Sequence, residues 1–273
     1  MSDESLPLLI EPEQLEVVLG SENVLVVDLS RAEIHAQYHI PGAVHLEYAR
    51  IVRTQPPVGG LLPEASQLSE VFSAIGLTPQ THVVAYDDEG GGKAARLLWT
   101  LEVCGHTRYS LLNGCLHAWA NEGHELTNTR TAVTPSDYHA TPVPDSPAMA
   151  DRSYILAHLE DPAVALLDVR SPLEYRGLQR FSARGGHIPG AVNLEWTEAM
   201  DQDRNLRLQN AADLRARLQS LGLRDGQEVV AYCQTHHRSA HSWFMLKWLG
   251  YRARGYAGSW SDWGNQQETP VAK

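Results

Sequence analysis

Only three cysteines occur in 273 residues, too few and too odd in number for a disulfide framework, which fits a reducing compartment. No apolar run reaches the roughly 18 to 20 residues that a membrane-spanning helix needs. The opening residues, Met1-Ser-Asp-Glu-Ser-Leu-Pro7, are acidic where a secretory leader would be basic. Positive charge is scarce throughout. Lys and Arg total 22 against 33 Asp and Glu, a formal net charge of −11, so the dense cationic footprint that neutralises nucleic-acid phosphates is missing. These absences lead us to expect a cytoplasmic protein that binds neither nucleic acid nor membrane, with room for one small basic pocket on an acidic body. The chain is 43% hydrophobic, enough to bury a real core, and wholesale disorder is excluded.

What is present is a repeat. His39-Ile-Pro-Gly-Ala-Val44 recurs as His187-Ile-Pro-Gly-Ala-Val192, and Val83-Val-Ala-Tyr86 recurs as Val229-Val-Ala-Tyr232, at offsets of 148 and 146 residues. Val24-Leu-Val-Val-Asp28 echoes Val164-Ala-Leu-Leu-Asp168, and Asn113-Gly-Cys-Leu-His-Ala-Trp119 echoes Ala257-Gly-Ser-Trp-Ser-Asp-Trp263. Solenoid repeats run at roughly 20 to 50 residues, so a period this long means two similar domains. The stretch 125–149, rich in Thr, Pro and Ser and without apolar periodicity, reads as a linker between domains at 1–124 and 150–273.

Within each half, short β-branched runs alternate with amphipathic stretches. Val24–Val27, Val83–Ala85, Ala163–Leu167 and Val229–Tyr232 read as strands buried on both faces. Leu68–Ile75, Ala94–Val103, Ala212–Leu221 and Ser239–Leu249 read as helices, with Gly76, Gly105, Gly222 and Gly250 placed to end them. The alternation predicts an α/β fold in which each domain is a parallel sheet with helices on both faces. The Pro-Gly step of each His-Ile-Pro-Gly-Ala segment predicts a turn feeding a short strand, with His39 and His187 anchoring it by hydrogen bonds.

The chemistry concentrates in one loop. Val229-Val-Ala-Tyr-Cys233-Gln-Thr-His-His-Arg238-Ser239 runs from a buried strand through a short loop into a helix, the place where open α/β sheets put their sites. Helix N–H groups aimed into the loop, and the guanidinium of Arg238, favour thiolate over thiol at Cys233. Such a cradle suits attack by sulfur on a sulfur or phosphorus centre that carries anionic oxygens. Cys104 and Cys115, among apolar neighbours, read instead as buried small hydrophobes. Cys233, His236, His237 and His241 are also metal-ligand types, but their spacing follows no zinc pattern and Arg238 among them repels a cation, so no metal is expected. Alignment of the two Val-Val-Ala-Tyr strands sets Asp87 opposite Cys233. A carboxylate cannot act as the sulfur nucleophile, Asp87-Asp-Glu89 repels anions, and a general acid or base role for Asp87 has no evident partner residue.

The duplicated His-Ile-Pro-Gly-Ala segment, the Cys-x4-Arg-Ser loop after Val-Val-Ala-Tyr, and Gly258-Ser-Trp-Ser-Asp-Trp263 carry a resemblance. Both halves are similar to rhodanese domains, and the whole chain resembles the tandem-domain thiosulfate sulfurtransferases, in particular a bacterial subgroup with a Cys-Gln-Thr-His-His-Arg loop. The resemblance implies that Cys233 takes the outer sulfur of thiosulfate as a persulfide and hands it to cyanide or a thiol, including that of a thioredoxin-like or other sulfur-accepting protein, without metal or organic cofactor. It implies that Gln234, Thr235, His236, His237, Arg238 and Ser239 supply the donors that hold the small anionic substrate. It further implies an inactive first domain that packs against the second and walls one side of the site.

The tyrosine-phosphatase loop, which resembles this one, places five residues between Cys and Arg; here there are four, which favours the smaller sulfur centre over phosphate hydrolysis. Mercaptopyruvate sulfurtransferases resemble the chain closely but carry an uncharged loop, and a non-catalytic persulfide carrier or docking module is the alternative outside enzymes. Two positions depart from the vertebrate pattern: Thr235 stands where a loop lysine is found, and Glu174 where an arginine is found. Both changes should weaken a small dianion, with Arg238 and Arg184 expected to compensate. Trp196 is placed to form an apolar wall of the pocket, or equally to serve as an ordinary core tryptophan.

Overall fold

The computed structural model describes residues 6–273, and the acidic opening from Met1 to Ser5 lies outside them. The chain forms two compact units. Among the described residues, one comprises 6–51, Pro63–Val143 and Asp201–Leu208; the other comprises Val52–Leu62, Pro144–Met200 and Gln209–Lys273. Each unit thus takes in one short segment from the other half of the sequence.

The first unit is built on a five-stranded parallel sheet in the order Leu9–Ile10, Tyr109–Leu112, His82–Tyr86, Val24–Asp28, Val44–His45. The second repeats it with Met149–Ala150, Arg252–Tyr256, Glu228–Tyr232, Val164–Asp168 and Val192–Asn193. The central strand of each sheet is the one the sequence marks most clearly. His82–Tyr86 is buried at every residue, as a strand covered on both faces should be. Helices Ala65–Ala74, Gly92–Val103, Ala211–Ser220 and Arg238–Trp248 fall where the periodicity places them, and Gly76, Gly105, Gly222 and Gly250 follow them with positive φ.

Why the two sequence landmarks recur together is now physical. The phenolic oxygen of Tyr86 accepts the N–H of Ile40 at 3.2 Å, and that of Tyr232 accepts the N–H of Ile188 at 3.1 Å. The central strand therefore holds the start of the Ile-Pro-Gly-Ala turn in both halves. Each turn closes with a backbone bond, Ala43 N–H to Ile40 C=O and Ala191 N–H to Ile188 C=O, both 3.0 Å. Gly42 and Gly190 take φ of +78° and +80°, the type II geometry that Pro-Gly encodes. His39 and His187 act as expected: Nδ1 of each bonds a carbonyl, of His35 at 2.6 Å and of Tyr175 at 2.9 Å. On the second sheet Leu166, Val230, Tyr232 and Tyr256 form a buried cluster with Ile188, Trp260 and Trp263. That apolar backing leaves the carboxyl ends of the strands as the place where polar groups gather.

Candidate active site

Cys233 is the first residue past strand Glu228–Tyr232, and helix Arg238–Trp248 begins five residues later. The turn between them is tight, with His236 at φ +53°. Cys233 itself is 1% exposed. Burial alone pushes a thiol up. Here the positive charge of Arg238, the Ser239 hydroxyl and the N–H groups of Ser239 and Thr235 act in the opposite direction and prevail, so the Cys233 thiol lies below its ordinary value. The Ser239 hydroxyl donates to Sγ at 3.4 Å, and its oxygen lies 2.8 Å from His236 Nδ1. With its proton directed at sulfur, the hydroxyl must accept from His236, which fixes the proton on Nδ1 of that imidazole. The other two thiols behave differently. Burial pushes Cys104 up to about 12, and Cys115 also lies well above its ordinary value, through burial and the charge of Asp87.

The pieces expected around the loop fall in several places. Arg238 is not a free cation. Its Nη1 and Nη2 donate to the two oxygens of Glu174 at 2.7 and 2.9 Å, a bidentate pair in which Glu174 is 4% exposed. Burial pushes the Glu174 carboxyl up and the Arg238 guanidinium pulls it down; the net position is below its ordinary value. The anion at position 174 thus answers the loop's own arginine, which corrects the expectation that Arg238 compensates for it. Arg184 is corrected as well: its guanidinium donates to the carbonyls of Thr269 and, at 2.9 Å, Trp263, and to the Thr269 hydroxyl. Those donors serve the C-terminal backbone. Trp196 lies beside the loop-helix junction, its ring 5.9 Å from that of His237 and 5.6 Å, edge-on, from that of His241. Gln234 points its amide nitrogen to Ser182 Oγ at 3.1 Å, while its Oε1 is buried without a partner.

Sequence reasoning gave no role to the residues that hold the loop's backbone. Ser259 Oγ accepts the Cys233 N–H at 3.2 Å and donates to the Tyr256 carbonyl at 2.7 Å. Trp260 N–H donates to Cys233 C=O and Ser261 N–H to Gln234 C=O, both at 2.9 Å. Gly258-Ser-Trp-Ser-Asp-Trp263 is therefore the outer clasp of the loop. Its recurrence in the sequence was the signal, but its partner lies 26 residues away. Arg170, buried, donates from Nε and Nη2 to both carboxylate oxygens of Asp168 and lies 4.5 Å over the Trp260 ring, tying the clasp to the end of strand Val164–Asp168.

The corresponding turn of the first unit holds a carboxylate in place of sulfur. Asp87 Oδ1 accepts the N–H groups of Glu89 and Gly91 at 2.9 and 2.8 Å, and Oδ2 those of Lys93 and Ala94 at 2.9 and 3.0 Å. The nest of amides at the head of helix Gly92–Val103 is filled by the chain's own side chain.

The rhodanese-like domain profile matches the chain twice, over residues 11–122 and 151–266. A thiosulfate sulfurtransferase of Azotobacter vinelandii is 46% identical over 268 residues, covering 98% of this chain and 97% of the relative. A second, of Pseudomonas aeruginosa, is 43% identical, covering 97% of both. A sulfur carrier protein of Thermus thermophilus is 34% identical over 97% of this chain and 93% of its own. Among solved structures, an anaerobic ergothioneine biosynthesis enzyme of Chlorobium limicola superposes with a TM-score of 0.87 at 20% identity, over 99% of this chain and 71% of the other, a likeness of fold. Two parallel five-stranded sheets, a duplicated landmark set and two full-domain matches converge, and the chain belongs to the rhodanese family as a tandem of rhodanese-like domains.

Proposed function

We propose that the chain is a thiosulfate sulfurtransferase with Cys233 as its nucleophile. The observation that carries this reading is a fully buried sulfur whose thiol is nevertheless held below its ordinary value by Arg238, Ser239 and two backbone N–H groups. In the first half-reaction the Cys233 thiolate attacks the outer sulfur of thiosulfate. The S–S bond of the donor breaks, sulfite leaves with the electron pair, and Cys233 carries a persulfide. In the second, cyanide or a thiolate attacks the terminal sulfur and Cys233 leaves as thiolate. Neither step changes the overall electron count or calls for a metal. Residues Gln234 to Ser239 line the path of charge, with amide donors for the terminal sulfur and the departing oxyanion. In this reading the division at 1–124, 125–149 and 150–273 separates a non-reactive repeat, whose amide nest Asp87 occupies, from the reactive one. Its three cysteines are all free, in keeping with a reducing compartment such as the cytoplasm.

Incubation with thiosulfate should add the mass of one sulfur atom to the protein, and Cys233→Ala should abolish both the gain and the production of thiocyanate. Continued turnover by the alanine variant would overturn the assignment. One observation also supports a donor of lower charge. The Arg238–Glu174 pair balances the loop's cation, so a persulfide donor competes with thiosulfate for this site, and steady-state rates with each donor on one preparation separate the two.

A further inference from the structure

Residues 52–62 lie within the first repeat of the sequence but belong to the second compact unit. They form an antiparallel hairpin of strands Arg53–Gln55 and Val58–Leu61. Gly60, at φ +75°, is pressed against the reactive loop: a Cβ built on it would lie 2.0 Å from the Thr235 carbonyl oxygen, 2.5 Å from the carbonyl carbon and 2.9 Å from the Ala257 carbonyl oxygen. These are backbone atoms, which cannot swing aside as a side-chain tip does. Gly59 touches the same residue, since its Cβ would meet Thr235 Cγ2 at 3.0 Å. The Gly59 N–H also donates to Ser261 Oγ at 3.0 Å, and Ser261 N–H donates to the Gln234 carbonyl at 2.9 Å. The hairpin therefore backs two consecutive loop residues, Thr235 directly and Gln234 through Ser261.

Thr235 is one of the two residues whose N–H groups stabilise negative charge on Cys233. We propose that Gly59–Gly60 is a positioning element for this loop: the bare backbone of Gly60 sets where the Thr235 peptides sit relative to the sulfur of Cys233. Any side chain at position 60 displaces the carbonyl of Thr235 and draws its N–H from the sulfur. Glycine is thus required here for close approach as well as for its φ. The consequence for turnover rests on the reading of Cys233 as nucleophile; the ionisation of its thiol does not.

The test compares Gly60→Ala with Gly222→Ala in the full-length protein. Gly222 has φ of +91° and open space around its would-be Cβ, so its variant carries backbone strain of the same kind without touching the loop. Thiolate ultraviolet absorbance is followed from about pH 5 to 9, a window clear of the other two thiols because burial pushes Cys104 up to about 12 and holds Cys115 well above its ordinary value. Gly60→Ala should raise the midpoint by about one unit, with an about tenfold slower persulfide formation below it, while Gly222→Ala should match the parent in both. Coincident midpoints for all three proteins overturn the proposal. Should Gly60→Ala not fold, Ser261→Ala decides: it removes the hydroxyl that receives Gly59, and an unshifted midpoint there overturns the proposal equally. Should thiosulfate leave no persulfide on the parent protein, the proposed function fails while the midpoints still report on the hairpin.

Discussion

The pairing of Arg238 with Glu174 is the single-residue feature with the largest consequence for the site. An arginine beside a thiolate lowers its pKa through charge, and a carboxylate bound to the same guanidinium takes part of that charge back. Glu174→Gln leaves one acceptor for Arg238 and removes the opposing charge. The Cys233 thiol should then titrate lower, and the KM for thiosulfate should fall about three- to tenfold, which corresponds to roughly 1 kcal/mol of relieved repulsion. The change also costs stability, about 1 to 3 kcal/mol at neutral pH, because a hydrogen-bonded buried charge loses its partner. Its pH dependence follows from the direction of the shift. The Glu174 carboxyl lies below its ordinary value, so its contribution is present above the unfolded pKa and is lost as pH falls through the folded one. Denaturation of parent and variant should differ at pH 7 and converge in acid. A rise in KM, or a gap that widens in acid, would contradict this account. The sequence exposed Glu174 as a departure from the family pattern, but not its purpose, since its partner lies 64 positions along the chain.

At the scale of elements, the turn after the central strand takes one backbone form with two contents, sulfur in one repeat and carboxylate in the other. Asp87 is legible in the sequence as the counterpart of Cys233; that its carboxylate satisfies four amides is not, because a nest depends on φ and ψ that composition does not encode. Asp87→Asn is expected to keep two of those acceptors and turn an amide nitrogen toward the remaining N–H groups. The loss should be about 2 to 4 kcal/mol in chemical denaturation, with persulfide formation at Cys233 unaffected. A neutral result would mean that water takes the carboxylate's place without cost. The central strands and the four long helices were legible for a plain reason: each buries a continuous apolar face, and period is the strongest sequence signal. Short edge strands such as Leu9–Ile10 and Met149–Ala150 were not, at two residues apiece. Nor was the hairpin of Arg53–Gln55 and Val58–Leu61, whose strands are three and four residues long and carry no alternating apolar pattern.

Across the whole molecule, the repeat in the sequence announces two units, but the units do not respect the halves. Residues 201–208 belong to the first unit, where Arg207 donates to Glu122 and, at 3.0 Å, to Glu11. Residues 52–62 belong to the second, where they back the reactive loop. No periodicity marks either segment, because both are short and their contacts span most of the chain. The consequence is that the site cannot be assembled from its own repeat alone. A fragment of residues 150–273 retains Cys233, the clasp at Ser259 to Ser261, and Glu174, yet lacks Gly59 and Gly60. Its loop loses the surface against which Thr235 rests, and with it part of the ordering that preorganises the amides around the sulfur. Such a fragment should form persulfide from thiosulfate at least about tenfold more slowly than the full chain and show a higher thiol midpoint. Equal rates and midpoints in fragment and full chain would mean that strand Glu228–Tyr232, helix Arg238–Trp248 and the clasp suffice to shape the loop, and that the hairpin only covers what they have already built.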